Sequence, residues 1–133
     1  MGMLMNRLHL TALAALSALL VAPAAAHPAA AQPAAQTVQV YNFGFGPRPL
    51  QLAAGRPVTL TFVNQSGSGH DFTAREFFAN ARIIAGSAPG GEIELARHQT
   101  RSVTLVPRAG TYRAHCSHFM HSTLGMTDQI VVR

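Results

Sequence analysis

The chain has no lysine, a single cysteine, only five acidic residues and no apolar run long enough to cross a bilayer comfortably. Each absence removes a class of protein. All ten cationic residues are arginine and no two are adjacent, so the positive charge is diffuse and lacks the basic stripe that grips nucleic acid. The five acids are scattered, and neither a paired-carboxylate nor a Ser-His-Asp arrangement stands out, which argues against an enzyme. With one cysteine an internal disulfide is excluded. Cys116 is then a buried inert thiol, an intermolecular link, a nucleophile or a metal ligand.

What is present begins with an address. Residues 1–9 carry Arg7 and no acid, residues 10–22 form a short apolar run, and Pro23 with three alanines follows. This layout predicts a secretory signal over residues 1–26, with cleavage after Ala26 or Ala31, and no stable membrane insertion once it is removed. Residues 27–36, HPAAAQPAAQ, lack periodicity and read as an Ala/Pro/Gln-rich tether. The folded domain is expected over 37–133. Without Arg7, nine arginines face five acids, a net charge of about +4. In an exported protein that charge suits an acidic protein partner or an anionic membrane surface, or serves solubility.

From Thr37 the chain reads as β structure. TVQVYNF (37–43) alternates before GFGPRP breaks it. PLQLAAG (49–55) places Leu50 and Leu52 on one face, and VTLTFVN (58–64) is rich in β-branched and aromatic residues. QSGSG (65–69) is a loop that delivers His70. Residues 70–74 form a short strand, followed by an irregular or briefly helical excursion. Further strands are predicted over 92–96, 102–107, 111–116 and from Asp128 onward. In TYRAHC (111–116), Tyr112, Ala114 and Cys116 share one face, and Arg113 and His115 share the other. Seven or eight short strands without a long helix or an internal repeat predict an antiparallel sandwich or barrel.

The densest chemistry lies in HCSHFMHSTLGM (115–126), which holds the one cysteine, three histidines and two methionines. Cys116, His121 and Met126 follow a C-x4-H-x4-M spacing. Five extended residues span about 17 Å, so these side chains meet only if the segment folds back twice. Ser122, Thr123 and Gly125 permit such turns. Thiolate, imidazole and thioether together are soft donors that select copper. His70, at the end of the loop after the strongest strand, supplies the second imidazole of a two-His, one-Cys set with an axial Met. Taken singly, each residue has a structural alternative: a surface loop histidine at 70 or 121, a core methionine, a small buried hydrophobe at 116.

The run FGFGPRPLQLAAGRPVTLTFVN, then HDF, then GTYRAHCSHFMHSTLGMTDQIVV resembles the cupredoxins, the small blue copper proteins, over nearly all of residues 37–133. The spacing in the last segment is similar to that of rusticyanin and auracyanin. The resemblance implies an all-β, eight-stranded Greek-key sandwich with one type 1 copper ion at one end, held by His70, Cys116, His121 and Met126. It further implies single-electron transfer between redox partners, with docking at an apolar rim around His121 to which Phe119, Met120 and Leu124 contribute. The partner expected is a redox protein, and the compartment the bacterial periplasm or another exported location. A copper chaperone or sequestering protein that uses His115, His118 and Met120 to pass metal is the alternative.

Three departures from the family pattern stand out. Asp71 occupies a position commonly Asn. An ionised carboxylate there cannot donate a hydrogen bond to the thiolate, and it lowers the reduction potential. Asp128 stands where Gly is frequent, and the Cys-to-His loop lacks a proline. His115 is expected to point away from Cys116. His118 either caps the loop by hydrogen bonding or offers a second, exposed metal site. If cleavage follows Ala26, the new amino terminus with the His27 imidazole is another copper chelator.

Overall fold

Val58, Leu60 and Phe62 alternate with half-buried neighbours, and this places β4 (Val58–Asn64) at the centre of a sheet with one face in the core. The structure, a computed structural model, describes residues 31–118, 121 and 124–133. The expected signal segment and its two cleavage sites, His27, Phe119, Met120, Ser122 and Thr123 lie wholly or partly outside those residues. Among the described residues no helix is long and apolar enough to cross a membrane.

β1 (Ala34–Tyr41) runs parallel to β4, and β2 (Gly44–Gly46) folds back antiparallel on β1. β8 (Thr100–Val106) lies antiparallel to β4 on its other side, and β6 (Arg82–Ala85) closes that edge. The order of this first sheet is β2-β1-β4-β8-β6. The second sheet contains β3 (Leu50–Leu52), β5 (His70–Thr73), β7 (Glu92–Leu95), β9 (Gly110–His115) and β10 (Thr127–Val132), in the order β3-β10-β9-β5-β7. The fold is the expected all-β sandwich, but with ten strands among the described residues in place of seven or eight, and with β1–β4 and β3–β10 paired parallel where an antiparallel sandwich was expected.

Differences from the sequence reading fall where side-chain pattern carries little signal. β1 begins at Ala34, three residues inside the segment read as tether. Ala34, Ala35 and Gln36 pair through their backbones with Val58, Thr59 and Leu60, and none of the three is buried. β2 lies in a stretch read as a break, because two of its three residues are glycine. At Gly44 a Cβ would fall 2.4 Å from the Tyr41 ring, so a side chain there displaces the tyrosine. β6 is exposed along its length and shows no alternation. The excursion after β5 is briefly helical, one of the two forms expected for it: α1 (Arg75–Asn80), held by Phe77 and Phe78.

The core between the sheets sets the depth of the functional end. Phe72 of β5 lies 5.2 Å from the Phe45 ring and 4.9 Å from that of Phe62, which joins the second sheet to the first. Such a buried ring contributes about 2 to 3 kcal/mol and fixes the height of its neighbours His70 and Asp71.

Asn64, buried at the end of β4, organises the loop before His70. Its amide donates to the carbonyls of Ser68 (2.8 Å) and Ala96 (3.0 Å), while its oxygen accepts from the Ser66 amide (3.0 Å) and hydroxyl (2.8 Å). Asn64→Ala leaves these buried groups without partners. It is expected to cost roughly 2 to 4 kcal/mol, read as a lower midpoint in urea unfolding.

Candidate metal centre

The segment between β9 and β10 folds back twice, as the spacing requires. The Met126 carbonyl accepts from the Cys116 amide (3.1 Å), the Met126 amide donates to the His121 carbonyl (3.0 Å), and the His121 amide donates to the His118 carbonyl (3.1 Å). Gly125, at φ +96°, sits in the left-handed region that glycine adopts without strain. Alternation along β9 buries Tyr112, Ala114 and Cys116 and leaves Arg113 exposed and His115 half-buried, as expected.

Three donor atoms converge at this end. Cys116 Sγ is 3.3 Å from His121 Nδ1 and 3.9 Å from His70 Nδ1, and the two imidazole nitrogens are 3.2 Å apart. Nitrogen and sulfur donors bound at about 2.0 to 2.3 Å to one ion, at trigonal or tetrahedral angles, stand about 3.2 to 3.8 Å apart. The observed separations fit a shared ion. Cys116 and Met126 are fully buried and His70 is 1% exposed, whereas His121 is partly exposed.

The surroundings orient these donors. Asn42 Oδ1 lies 3.2 Å from His70 Nε2, an arrangement in which Nε2–H donates and the Nδ1 lone pair faces the sulfur. Burial lowers the His70 pKa, and His121 and His118 add to the shift, so its neutral, ligating form is favoured. Burial raises the Cys116 pKa, opposed by hydrogen bonds from the backbone amides of Asp71 and His118. The Asp71 amide is 3.5 Å from the sulfur.

The Asp71 side chain performs a different task. Its Oδ1 accepts from the Thr73 hydroxyl (2.8 Å) and the Ser117 amide (2.8 Å), and its Oδ2 accepts from the Ser117 hydroxyl. A carboxylate thus ties the two ligand-bearing segments by accepting, and the backbone amide of the same residue donates to the thiol. His118 turns outward, with Nε2 3.0 and 3.2 Å from the two Glu94 carboxylate oxygens.

Sequence reasoning missed Asn42, Tyr41 and Phe43. Phe43 is 51% exposed and meets the His121 ring edge-on at 6.2 Å, and Tyr41 is also exposed. The polar-aromatic run YNFGFG was the available signal, but YNF was read only as the end of a strand and GFG as a break. The rim expected from Phe119 and Met120 lies outside the described residues, whereas Leu124 is exposed as expected.

Asp128 is buried, with Oδ1 accepting from the Gln129 amide at 2.7 Å and Oδ2 without a partner. Burial raises its pKa from 3.8 to about 6, opposed by the Gln129 amide and Arg48. The folded state therefore holds a proton that the unfolded chain has released. Stability from the neutral acid is complete below about pH 4 and is lost as pH rises through about 6, by at most on the order of 3 kcal/mol. Asp128→Asn is expected to remove this fall, so that metal-free variant and wild type diverge in thermal midpoint between pH 4 and 8, with the variant higher at neutral pH.

A two-sheet sandwich with a buried Cys/His/His cluster and a methionine in the same loop defines a class of small metal-binding domain. The cupredoxin-like domain family model matches residues 10–132, and the chain belongs to that family. Among solved structures it is similar to auracyanin B (23% identity, TM-score 0.57, covering 78% of this chain and 92% of that one). It is also similar to auracyanin A of Chloroflexus aurantiacus, described as a blue copper protein (22% identity, TM-score 0.56, covering 77% and 100%). A multicopper oxidase of Campylobacter jejuni, a metallo-oxidase, shares the fold over 80% of this chain and 31% of its own length (13% identity, TM-score 0.60). No curated protein sequence matches the chain.

Proposed function

We propose that the protein holds one copper ion through His70, Cys116, His121 and Met126 and carries single electrons between redox partners. The observation that carries this reading is the convergence of two imidazole nitrogens and one thiol sulfur within 3.9 Å, at a buried end of the sandwich. The soft donor set favours copper over harder ions, and buried Met126 would supply the thioether. Bound copper supplies a one-electron couple.

The chain's own residues keep the donors in place across both oxidation states. Asn42 orients His70, the Asp71 and His118 amides stabilise negative charge on the sulfur, and the Asp71 carboxylate holds Ser117. Burial of Cys116, His70 and Met126 excludes water. His121, half-buried and in edge-on contact with exposed Phe43, is the route outward, and that apolar neighbour suits brief contact with a redox protein. One donor set in a single small domain suits a carrier and not an enzyme. Export to the periplasm follows from the signal-like residues 1–26.

The test is the visible spectrum of the copper-loaded protein. An intense thiolate-to-copper band that bleaches and returns over repeated reduction and oxidation supports the carrier. Little colour, preference for Cu(I) and ready loss of metal to a chelator would instead indicate a chaperone.

A further inference from the structure

Two of the acids that look scattered in sequence meet in space. Asp71 of β5 and Glu94 of β7 are directly paired across antiparallel strands. Like charges in that position repel and normally destabilise a sheet. Among the described residues no arginine forms an ion pair with either, although arginines outnumber acids. The nearest arginine contact avoids the carboxylate, since Arg101 donates to the Glu94 backbone carbonyl at 3.3 Å. The group facing both acids is an imidazole: His118 Nε2 lies 3.0 Å from Glu94 Oε1 and 3.6 Å from Asp71 Oδ2.

We propose that Asp71, Glu94 and His118 form a second metal site, for a divalent cation of the zinc class, separate from the Cys116 centre. One ligand atom from each residue lies within 4.8 Å of the others. Two donors about 2.1 Å from one ion stand about 3.0 Å apart at a right angle and about 3.4 Å apart at the tetrahedral angle, close to the separations from His118. Asp71 is fully buried and fixed by Thr73 and Ser117, the support that orients a ligating carboxylate. Glu94 and His118 are open to solvent, so the ion enters from outside and retains water. Two carboxylate oxygens and one imidazole, with no sulfur, suit zinc, cobalt or manganese better than Cu(I). An ion here also relieves the repulsion between the paired acids and pins the segment after Cys116 to β5 and β7. An asparagine at 71 offers a far weaker ligand.

The test must not depend on the copper reading. The Cys116→Ala, His121→Ala double variant dismantles the first donor set, and it is titrated with Co2+. One bound equivalent, with weak ligand-field bands and no thiolate charge transfer, is expected. Adding Glu94→Gln or His118→Ala should weaken binding at least tenfold. If the double variant does not fold, wild type without added copper is titrated with Co2+ against Glu94→Gln and His118→Ala, and the equivalent that lacks thiolate charge transfer is the one expected to weaken. Absence of a bound equivalent, or one that persists undiminished through Glu94→Gln and His118→Ala, overturns the proposal.

Discussion

Cys116→Ala is expected to abolish the visible band of the copper-loaded protein and to remove most of the thermal protection that copper confers. Cys116 is fully buried, and its Sγ lies 3.3 Å from His121 Nδ1 and 3.9 Å from His70 Nδ1. A ligand that binds only the folded state stabilises it by about 2.7 kcal/mol at a hundredfold excess over Kd. For a domain of this size that corresponds to roughly 10 to 20 °C in Tm. The variant should show little difference between metal-free and copper-supplied melting curves. The metal-free curves of variant and wild type should differ far less, because loss of one sulfur from the core costs on the order of 1 kcal/mol. Scanning calorimetry with and without one equivalent of copper separates the two effects. Equal copper-dependent shifts in both proteins would sink the assignment of Cys116 as a ligand.

The second large effect is on reduction potential, and its site is Asp71. The carboxylate accepts hydrogen bonds from Thr73 and Ser117 and donates none, the pattern of an ionised acid. Its charge lies one residue from His70 and, through Ser117, one from Cys116. A unit charge roughly 6 Å from a metal, at an effective dielectric of about 20, is worth about 3 kcal/mol. For one electron that is on the order of 100 mV. Because the negative charge favours the more highly charged oxidation state, Asp71→Asn should raise the potential by roughly this amount. The asparagine oxygen still accepts from Ser117, so stability should change little. Cyclic voltammetry of copper-loaded wild type and variant measures the shift. A lower potential, or an unchanged one, would show that the carboxylate charge is screened from the centre.

The acid at position 71 also shows why the geometry was needed. In sequence it reads only as a residue unable to donate a hydrogen bond to the thiolate and as one that lowers the potential. In the fold the backbone amide of Asp71 supplies the donation while the carboxylate ties the loops by accepting from Ser117. Residue type alone cannot separate those roles, because both depend on which way the side chain turns. His118 is similar. Two residues from Cys116 it had two readings, a loop-capping bond or a second metal site. The strand pairing that brings Glu94 opposite Asp71 gives both a physical basis.

Other gaps have equally local causes. β2 and β6 carry too little alternation to announce themselves, since one is short and glycine-rich and the other is exposed along its length. The start of β1 pairs through backbone groups that no hydropathy pattern reports. Asn42 and Phe43 were passed over because they lie 28 or more residues from the donors they meet, His70 and His121.

The sequence by itself determined the fold class, since alternation in β4, β8 and β9 writes the buried face directly. It also determined the candidate donors, because a lone Cys116 with His121 and Met126 at equal spacing leaves little other chemistry for that loop. Tertiary structure alone decided which groups surround them. The partners of His70, Asp71 and His118 come from strands and turns distant in the chain, and their approach depends on sheet register and core packing, which no local pattern encodes.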